Sequence, residues 1–243
     1  MQEEMTLAEL AEYGVTIPPT EDELPYDDGV PMESLRHVLQ MEMLIHPLRL
    51  LWKQRQDVFV AGNMFVYFSE AQVRNQDFRG PDVFVVLDVP KRERKSWVVW
   101  QEGKGPDLVI ELLSDSTAEK DKGEKKLIYQ NQLRVPEYYW FDPYSGELAA
   151  FVLVRGVYEP VEIDEQNRLL SRHLQLALVR WEGTYADVNA GWLRWATLDG
   201  VLLPTPQEEA EAAQQQAEAA QQRTTELEAQ LARYRERFGE LPE

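Results

Sequence analysis

The spacing of apolar and polar positions predicts alternating helices and strands over residues 32–203. Apolar residues at helical spacing between Met32 and Gln54 predict a first helix. Ser116 and Glu119 have the spacing of a capping box and predict a second helix of about 16 residues. Short apolar runs between turn residues predict strands at 57–60, 64–68, 82–86, 107–113, 136–143, 148–154, 157–163 and 174–181. This order predicts an α/β (α+β) domain with a central mixed sheet flanked by helices.

The first two predicted strands are separated by Ala61-Gly62-Asn63. Three residues containing a glycine between two strand-like runs are typical of a β-hairpin. We therefore expect the runs at 57–60 and 64–68 to pair with each other.

The two ends of the chain differ from this body. Residues 1–31 are rich in acids and contain several prolines, which predicts an N-terminal arm. Residues 204–243 carry a heptad seam of about four repeats, with small or apolar residues alternately three and four apart. The seam consists of Ala210, Ala213, Ala217, Ala220, Thr224, Leu227, Leu231, Tyr234 and Phe238. Two interpretations of residues 204–243 stay open: a solvated tail helix or a self-associating coiled coil. The main domain is expected at residues 32–203.

Composition narrows the classes of function. The 243-residue chain has no cysteine, which excludes disulfides, thiolate zinc sites and a cysteine nucleophile. This usage fits a reducing compartment, so we expect a cytoplasmic protein. No signal peptide is visible, and no apolar run approaches the ~18 residues of a membrane span. We therefore expect no membrane association.

The net charge of −18 argues at first against a nucleic-acid partner. The acidity lies mainly at the ends, however: residues 1–34 hold ten acids and no bases, and residues 205–243 hold nine acids and four arginines. The remaining middle has a net charge of only −3. It includes a basic cluster, with Lys91, Arg92, Arg94 and Lys95, that is a weak candidate for phosphate contacts.

Glu111 is the candidate centre of chemistry. It lies inside an apolar run that follows Gly105-Pro106 and is typical of a strand buried on both faces. A carboxylate there loses its hydration and must be paired, metal-bound or protonated. Asp107 is four residues away, roughly 13 Å at the rise of a strand, so the two cannot easily share an ion. Asp82 follows a second Gly-Pro and opens another apolar run, so we expect it to meet Glu111 across a sheet.

Paired carboxylates beside a cation suit the hydrolysis of a phosphodiester. Carboxylate oxygens hold Mg²⁺, which polarises the phosphate and lowers the pKa of a bound water. A lysine positions that water or stabilises the developing charge. One large nuclease superfamily places Pro-Asp on one strand and an acid-x-Lys triplet on the next, where residues two apart share a face. The residue two after Glu111 is Leu113, so the literal motif is broken.

Four segments together resemble the Uma-two family of restriction-endonuclease-like proteins in the PD-(D/E)xK superfamily. They are Gly80-Pro81-Asp82-Val83, Pro106 to Thr117, Asp121-x-x-x-Lys125-x-x-x-Tyr129, and Val135-Pro136-Glu137-Tyr138-x-Trp140-x-x-Asp142-Pro143. The resemblance spans roughly residues 32–183 and implies a restriction-endonuclease-like fold with DNA as the substrate. In that family a lysine on the following helix is thought to replace the strand lysine, and the matching residue is Lys125.

The resemblance thus implies an endodeoxyribonuclease with Asp82 and Glu111 as ligands of Mg²⁺ or Mn²⁺ and Lys125 as the catalytic cation. The family's opening helix often adds another acid, for which Glu42 is the first candidate and Glu33 the second. Asp107 and Asp121 are further candidate acids. A homodimer would suit an enzyme that cuts two strands.

Structural explanations stand beside these roles. Aspartates after proline, such as Asp82 and Asp107, often only cap turns, and Lys125 is four after Asp121, as in helix ion pairs worth a few tenths of a kcal/mol. Tyr129, Tyr138 and Trp140 are expected in the core. The alternative function is a non-catalytic interaction protein that keeps the nuclease fold, with Glu111 and Lys125 as a structural ion pair.

Overall fold

The computed structural model describes residues 18–26, 34–69, 78–114 and 116–239. Most of the predicted arm, residues 1–17 and 27–31, lies outside these ranges, and so does Glu33. Internal contacts divide the chain into a unit of residues 1–203 and a unit of residues 204–243. The further division of the first unit into an arm and a body stays a prediction.

The elements of the first unit are, in chain order, α1 (Leu35–Leu51), β1 (Val58–Ala61), β2 (Val66–Tyr67), β3 (Phe78–Arg79), β4 (Val83–Leu87), β5 (Trp97–Val98), α2 (Val99–Glu102), β6 (Leu108–Leu112), a helical run at 118–133, β7 (Glu137–Phe141), β8 (Leu148–Val154), β9 (Val157–Val161), β10 (Arg168–Ser171), β11 (Leu176–Tyr185) and β12 (Val188–Ala196). Within the described residues these strands form three sheets. The helical run at 118–133 is called the site helix below.

The central sheet has six strands in the order β1-β4-β6-β7-β8-β9. β6 and β7 are parallel, and all other neighbours are antiparallel. The site helix connects the parallel pair, as parallel strands require a crossover. The predicted mixed sheet flanked by helices is therefore confirmed.

The two faces of β6 are covered by different helices. Leu108 and Ile110 pack in one core cluster with Leu44 and Leu48 of α1. Val109 packs in a second cluster, which contains residues of the site helix. Because side chains alternate along a strand, Glu111 points to the face of the site helix.

The hairpin expected between residues 57–60 and 64–68 is wrong. β1 pairs with β4, whereas β2 pairs with β3 and β5 in a separate small sheet. The backbone N–H of Asn63 donates to the carbonyl of Pro81 at 2.9 Å. A Cβ at Gly62 would overlap the carbonyl oxygen of Asp82. The glycine therefore serves a close approach to the start of β4 rather than a hairpin turn.

The site helix alternates α and π turns: α3 (Ala118–Lys120), a π segment (Asp121–Lys125), α4 (Lys126–Ile128) and a second π segment (Tyr129–Leu133). In a regular α-helix, residues four apart drift around the axis by about 40° per step. π turns have hydrogen bonds between residues five apart and are wider, so residues four apart rotate less around the axis and the drift is offset. Asp121, Lys125 and Tyr129 therefore stay on one side of the helix.

The second unit is one helix, α5 (Pro206–Phe238), as the heptad spacing predicts. Thr205 and Glu208 form a capping box at its start. Its length is 33 residues, but its composition is polar. Of the helices within the described ranges, none is both long and apolar enough to cross a membrane.

Candidate active site

Asp82 and Glu111 face each other across two antiparallel strands. In β4 and β6, Val83 pairs with Ile110 and Phe84 with Val109. The same register, carried one residue further, sets Asp82 opposite Glu111. Directly opposed residues have Cβ atoms about 4.5–5.5 Å apart. Both carboxyl groups therefore lie on the side of the sheet that the site helix covers.

Glu111 is fully buried and held by two groups of the site helix. The hydroxyl of Tyr129 donates to Oε1 at 2.7 Å, and the Nζ of Lys125 lies 3.2 Å from Oε2. Burial raises the pKa of Glu111 to about 8, although the charge of Lys125 opposes this shift. The neighbouring carboxylate of Asp82 adds to the rise.

Asp82 is half-buried, and one of its oxygens is fixed by the backbone. The N–H of Leu112 donates to Oδ2 at 2.7 Å. Burial raises the pKa of Asp82 to about 6, against the lowering effects of this hydrogen bond and of Lys125. The two carboxyl groups titrate as a pair and together retain about one proton at neutral pH.

Lys125 supplies the cation that β6 lacks. Its Nζ lies 2.6 Å from Asp121 Oδ1, in addition to its contact with Glu111. Burial disfavours the charge on Lys125, but the carboxylates of Glu111 and Asp121 outweigh burial, so its pKa is raised. Lys125 is therefore protonated at neutral pH. Leu113, at the usual position of the strand lysine, is buried in the core under the site helix.

Tyr129 has a role that sequence reasoning missed. It is buried among the core residues, as expected, but its hydroxyl also contacts Glu111. Buried tyrosine hydroxyls need a partner, and Tyr129 is four residues after Lys125 on the same helix. That spacing is the sequence signal that could have found it.

Asp107 lies apart from this pair. It precedes β6 and accepts the backbone N–H of Leu87 at 2.7 Å, while Lys104 Nζ lies 2.8 Å from Oδ2. These contacts join the start of β6 to the end of β4. The structural explanation of an aspartate after proline thus describes Asp107, whereas Asp82 meets Glu111.

The placement of Glu42 corrects the expectation that the opening helix adds an acid to the site. Glu42 lies on α1, whose core residues pack on the face of β6 opposite to Glu111. Burial first, and the nearby charge of Glu42 second, raise the pKa of Tyr185 in β11. Glu42 therefore lies at the face of the central sheet opposite to that of Glu111. Asp121 is the acid that joins Glu111, through their shared contact with Lys125.

The basic cluster lies at the other end of β4 from Asp82, and acids of the chain already engage most of it. Arg92 contacts Glu21 at 2.7 Å, and Lys95 contacts Asp22 at 2.7 Å. Arg94 is buried and forms a two-point ion pair with Glu102 at 2.9 Å on each arm. The remaining member, Lys91, donates to the carbonyl of Lys53 at 3.3 Å. This position and pairing do not support the expected phosphate contacts.

Glu137 provides a contrast with Glu111 because it is equally buried but fully engaged. Its carboxylate accepts hydrogen bonds from five groups: the hydroxyls of Tyr139 and Ser171, the backbone N–H of Arg172, and the backbone N–H and ring nitrogen of His173. These bonds tie β7 to the segment after β10. Glu137 is thus a structural carboxylate, with little capacity left for a ligand.

The donors at the candidate site fit a divalent cation with few protein ligands. Carboxylate oxygens of Asp82 and Glu111 face each other and are hard ligands of the kind Mg²⁺ prefers. No cluster of three or more His, Cys, Asp or Glu arranged to hold a metal occurs in the described part of the chain. Mg²⁺ is commonly bound by one or two carboxylates, with water and substrate phosphate completing its shell. Asp82 and Glu111 therefore provide the type and number of donors that a Mg²⁺ site of this kind needs.

The structure thus has a mixed central sheet flanked by helices, with the two acids and the lysine on one face of that sheet. The chain belongs to the Uma-two (Uma2) family, described as "Putative restriction endonuclease", whose sequence profile matches residues 10–186.

Comparison with solved structures finds similarity to "a putative nuclease belonging to DUF820" from Anabaena variabilis ATCC 29413. The two chains are 17% identical, and the match covers 66% of this chain and 87% of the other, with a TM-score of 0.42. No curated protein matches the chain. The family assignment therefore depends on the profile match alone.

Proposed function

We propose that this protein is a divalent-metal-dependent endonuclease that hydrolyses DNA phosphodiester bonds. The observation that carries the proposal is that Asp82 lies opposite Glu111 and that Lys125 contacts Glu111, on the face of the sheet beneath the site helix. Membership in a family described as "Putative restriction endonuclease" supports DNA as the substrate. The cytoplasmic location stays a prediction from the sequence.

Asp82 and Glu111 would hold Mg²⁺ or Mn²⁺ through their facing oxygens. When bound, the ion polarises the scissile phosphate and lowers the pKa of a coordinated water. The carboxyl pair gives up its retained proton when it takes the cation, because both groups bind metals as carboxylates. Leu112 keeps Asp82 oriented through its backbone N–H, and Tyr129 does the same for Glu111.

Lys125 would orient the attacking water and stabilise the charge that develops on the phosphate. An ammonium group has three N–H donors. Two of them face Glu111 and Asp121, which leaves one for a water or a phosphate oxygen. Asp121 is then a positioning residue, because it acts on the reaction through Lys125.

Cleavage assays with the full chain test this proposal. Plasmid DNA and single- and double-stranded oligonucleotides are incubated with Mg²⁺ or Mn²⁺. Glu111→Ala is expected to abolish cleavage, and Lys125→Ala to reduce it by roughly 10²–10³-fold, as for the loss of a donor to a transition state. Lys122→Ala is the matched control, because Lys122 lies one turn earlier and pairs with Glu147 instead.

The proposal fails if the wild-type protein cuts none of these substrates and binds neither ion. It also fails if cleavage persists in Glu111→Ala, because a contaminating nuclease would then explain the activity. Equal losses in Lys122→Ala and Lys125→Ala would remove the assigned role of Lys125.

The second candidate is a non-catalytic interaction protein that retains this fold. Its supporting observation is that Lys125 already forms ion pairs with both Glu111 and Asp121. Removing one partner of a buried ion pair costs roughly 3–5 kcal/mol. Strong destabilisation of Lys125→Met, together with no effect of Mg²⁺ or Mn²⁺ on the wild type, would favour this candidate.

A further inference from the structure

The tail helix α5 exposes an apolar seam. Leu227, Leu231 and Tyr234 are 58%, 39% and 48% exposed. They are spaced four and three residues apart, so they lie along one side of the helix. Large apolar side chains aligned on one side of a polar helix are typical of a surface that another helix covers.

We propose that this seam joins two copies of the chain in a parallel, in-register, two-stranded coiled coil over residues 210–234. The inference concerns assembly and does not depend on the proposed nuclease activity. Each copy contributes the same helix, so the small and large layers of the two seams match in length and order.

The residues of the seam suit close contact between identical helices. Its a positions are Ala210, Ala217, Thr224 and Leu231, and its d positions are Ala213, Ala220, Leu227 and Tyr234. The alanine layers allow the helix backbones to approach, while the layers at residues 227–234 bury large side chains. The hydroxyl of Thr224 donates to the carbonyl of Ala220 at 3.0 Å. Burying Thr224 therefore leaves no unpaired hydroxyl.

Charges beside the seam specify the orientation. Arg223 occupies a g position and Glu228 the following e position. In a parallel pair, Arg223 of one copy meets Glu228 of the other, and the symmetric contact forms as well. An antiparallel pair that stacks Leu227 on Leu231 would instead oppose Arg223 to Arg237 and Glu228 to Glu228. These contacts between like charges are unfavourable, so the charges favour the parallel arrangement over this antiparallel one.

Light scattering on the full chain tests the assembly. The wild type is expected to have twice the 28.2 kDa mass of one chain. Leu231→Asp places a charge inside the seam and is expected to give the single-chain mass. The proposal would be overturned if the wild type kept the mass of one chain at concentrations up to ~100 µM, since even a weak dimer should form there. It would also be overturned if Leu231→Asp remained as fully dimeric as the wild type.

Charge reversal tests the orientation. Arg223→Glu and Glu228→Arg are each expected to raise the dissociation constant by about tenfold, because two attractive contacts become repulsive. Mixing the two variants restores both attractions and is expected to give a heterodimer. Tighter association of Arg223→Glu would instead indicate the antiparallel pair, because that change relieves the contact with Arg237.

Cross-linking gives a second measure, since the chain has no cysteine of its own. Leu227→Cys introduces a thiol at a d position, where a parallel in-register pair brings the two copies within disulfide distance. Oxidation is expected to link the copies. Ala229→Cys, on the outer side of the same turn, is the matched control and is expected to stay unlinked. Equal linking of both variants, or linking of Ala229→Cys alone, would contradict the proposal.

Discussion

The carboxyl groups of Asp82, directly before β4, and Glu111, on β6, lie opposite each other beneath the site helix, with Glu111 fully buried and Asp82 half-buried. Two acids in that position repel each other when both are ionised. Among the described residues, Lys125 is the one cation that forms an ion pair with Glu111. The pair therefore favours a proton or a cation between its members. The following predictions test this property and the parts of the fold that create it.

Mg²⁺ or Mn²⁺ is expected to stabilise the wild-type protein. A ligand that binds only the folded state adds about 2.7 kcal/mol at 100 times its dissociation constant, which corresponds to a rise of roughly 5–10 °C in Tm for a chain of this size. Scanning calorimetry with and without the ion measures the shift. Glu111→Gln is expected to lose it.

Asp107→Asn is the control for this experiment. Asp107 shares the Pro-Asp pattern but contacts Lys104 and Leu87. Its loss should lower Tm without the ion and leave the shift with the ion intact. A shift that survives in Glu111→Gln but disappears in Asp107→Asn would move the metal site to the other end of β6.

The stability of the metal-free protein is expected to fall as the pH rises. Burial raises the pKa of Glu111 from 4.5 to about 8 and that of Asp82 from 3.8 to about 6. The folded state therefore holds these protons more tightly than the unfolded state. Their contribution to stability is complete below about pH 4 and is lost as the pH rises through 6 and 8.

Urea unfolding in the presence of EDTA measures this dependence. Glu111→Gln cannot ionise, so the difference in unfolding free energy between the variant and the wild type should move in favour of the variant from pH 5 to pH 9. Parallel curves for the two proteins over this range would show that Glu111 does not carry the shift.

Removing the hydroxyl of Tyr129 is expected to change both stability and the pH profile of cleavage. Tyr129→Phe keeps the packing but deletes the 2.7 Å hydrogen bond to Glu111, at a cost of roughly 1–3 kcal/mol in unfolding free energy. This bond lowers the pKa of Glu111, so its loss should move the cleavage profile to higher pH. Tyr138→Phe is the control, since Tyr138 donates to the carbonyl of Asp121. The same alkaline shift in both variants would count against a specific role of Tyr129.

Gly62 is expected to be required for the start of β4. A side chain at this position would overlap the carbonyl oxygen of Asp82 and lie 2.7 Å from Ile45 Cδ1. Gly62→Ala should cost roughly 1–3 kcal/mol of stability through overpacking and reduce the metal-dependent shift. Gly80→Ala should cost little, because its nearest neighbour would be an atom of Phe65 at 3.6 Å. Thermal unfolding measures the loss of stability in both variants. Equal stability of the two would mean that the close approach of Gly62 to Asp82 does not require a glycine.

The basic cluster at 91–95 is expected to contribute to folding rather than to DNA binding. Arg94 is buried against Glu102, so Arg94→Ala should cost roughly 3–5 kcal/mol in unfolding free energy. Lys95 is exposed, and its ion pair with Asp22 should contribute at most about 1 kcal/mol. The logarithm of the binding constant for a DNA duplex, plotted against the logarithm of the salt concentration, should have the same slope in Lys95→Ala as in the wild type. A slope reduced by about one would reveal a phosphate contact at Lys95.

Short-range patterns in the sequence determined much of this protein. The apolar run around Glu111 predicts a buried carboxylate, and its distance from Asp107 favours a partner on another strand, Asp82. The heptad spacing predicted the tail helix. The resemblance to the Uma-two family added Lys125 and the restriction-endonuclease-like fold. The structure confirms the fold, the strand that buries Glu111 and the tail helix, while the roles of Asp82, Glu111 and Lys125 stay predictions. The confirmed features are predictable because strand alternation and heptad spacing are encoded by residues close together in the chain.

Only the tertiary structure decided which of several similar residues meet. Asp82 and Asp107 follow the same Pro-Asp pattern, yet strand register places one opposite Glu111 and the other at the far end of β6. Glu42 has suitable chemistry but lies beyond the other face of the sheet. π turns hold Asp121, Lys125 and Tyr129 in line, and no simple residue pattern signals such turns. Register, sheet face and helix pitch depend on packing between distant segments, so a pattern read along the chain does not contain them.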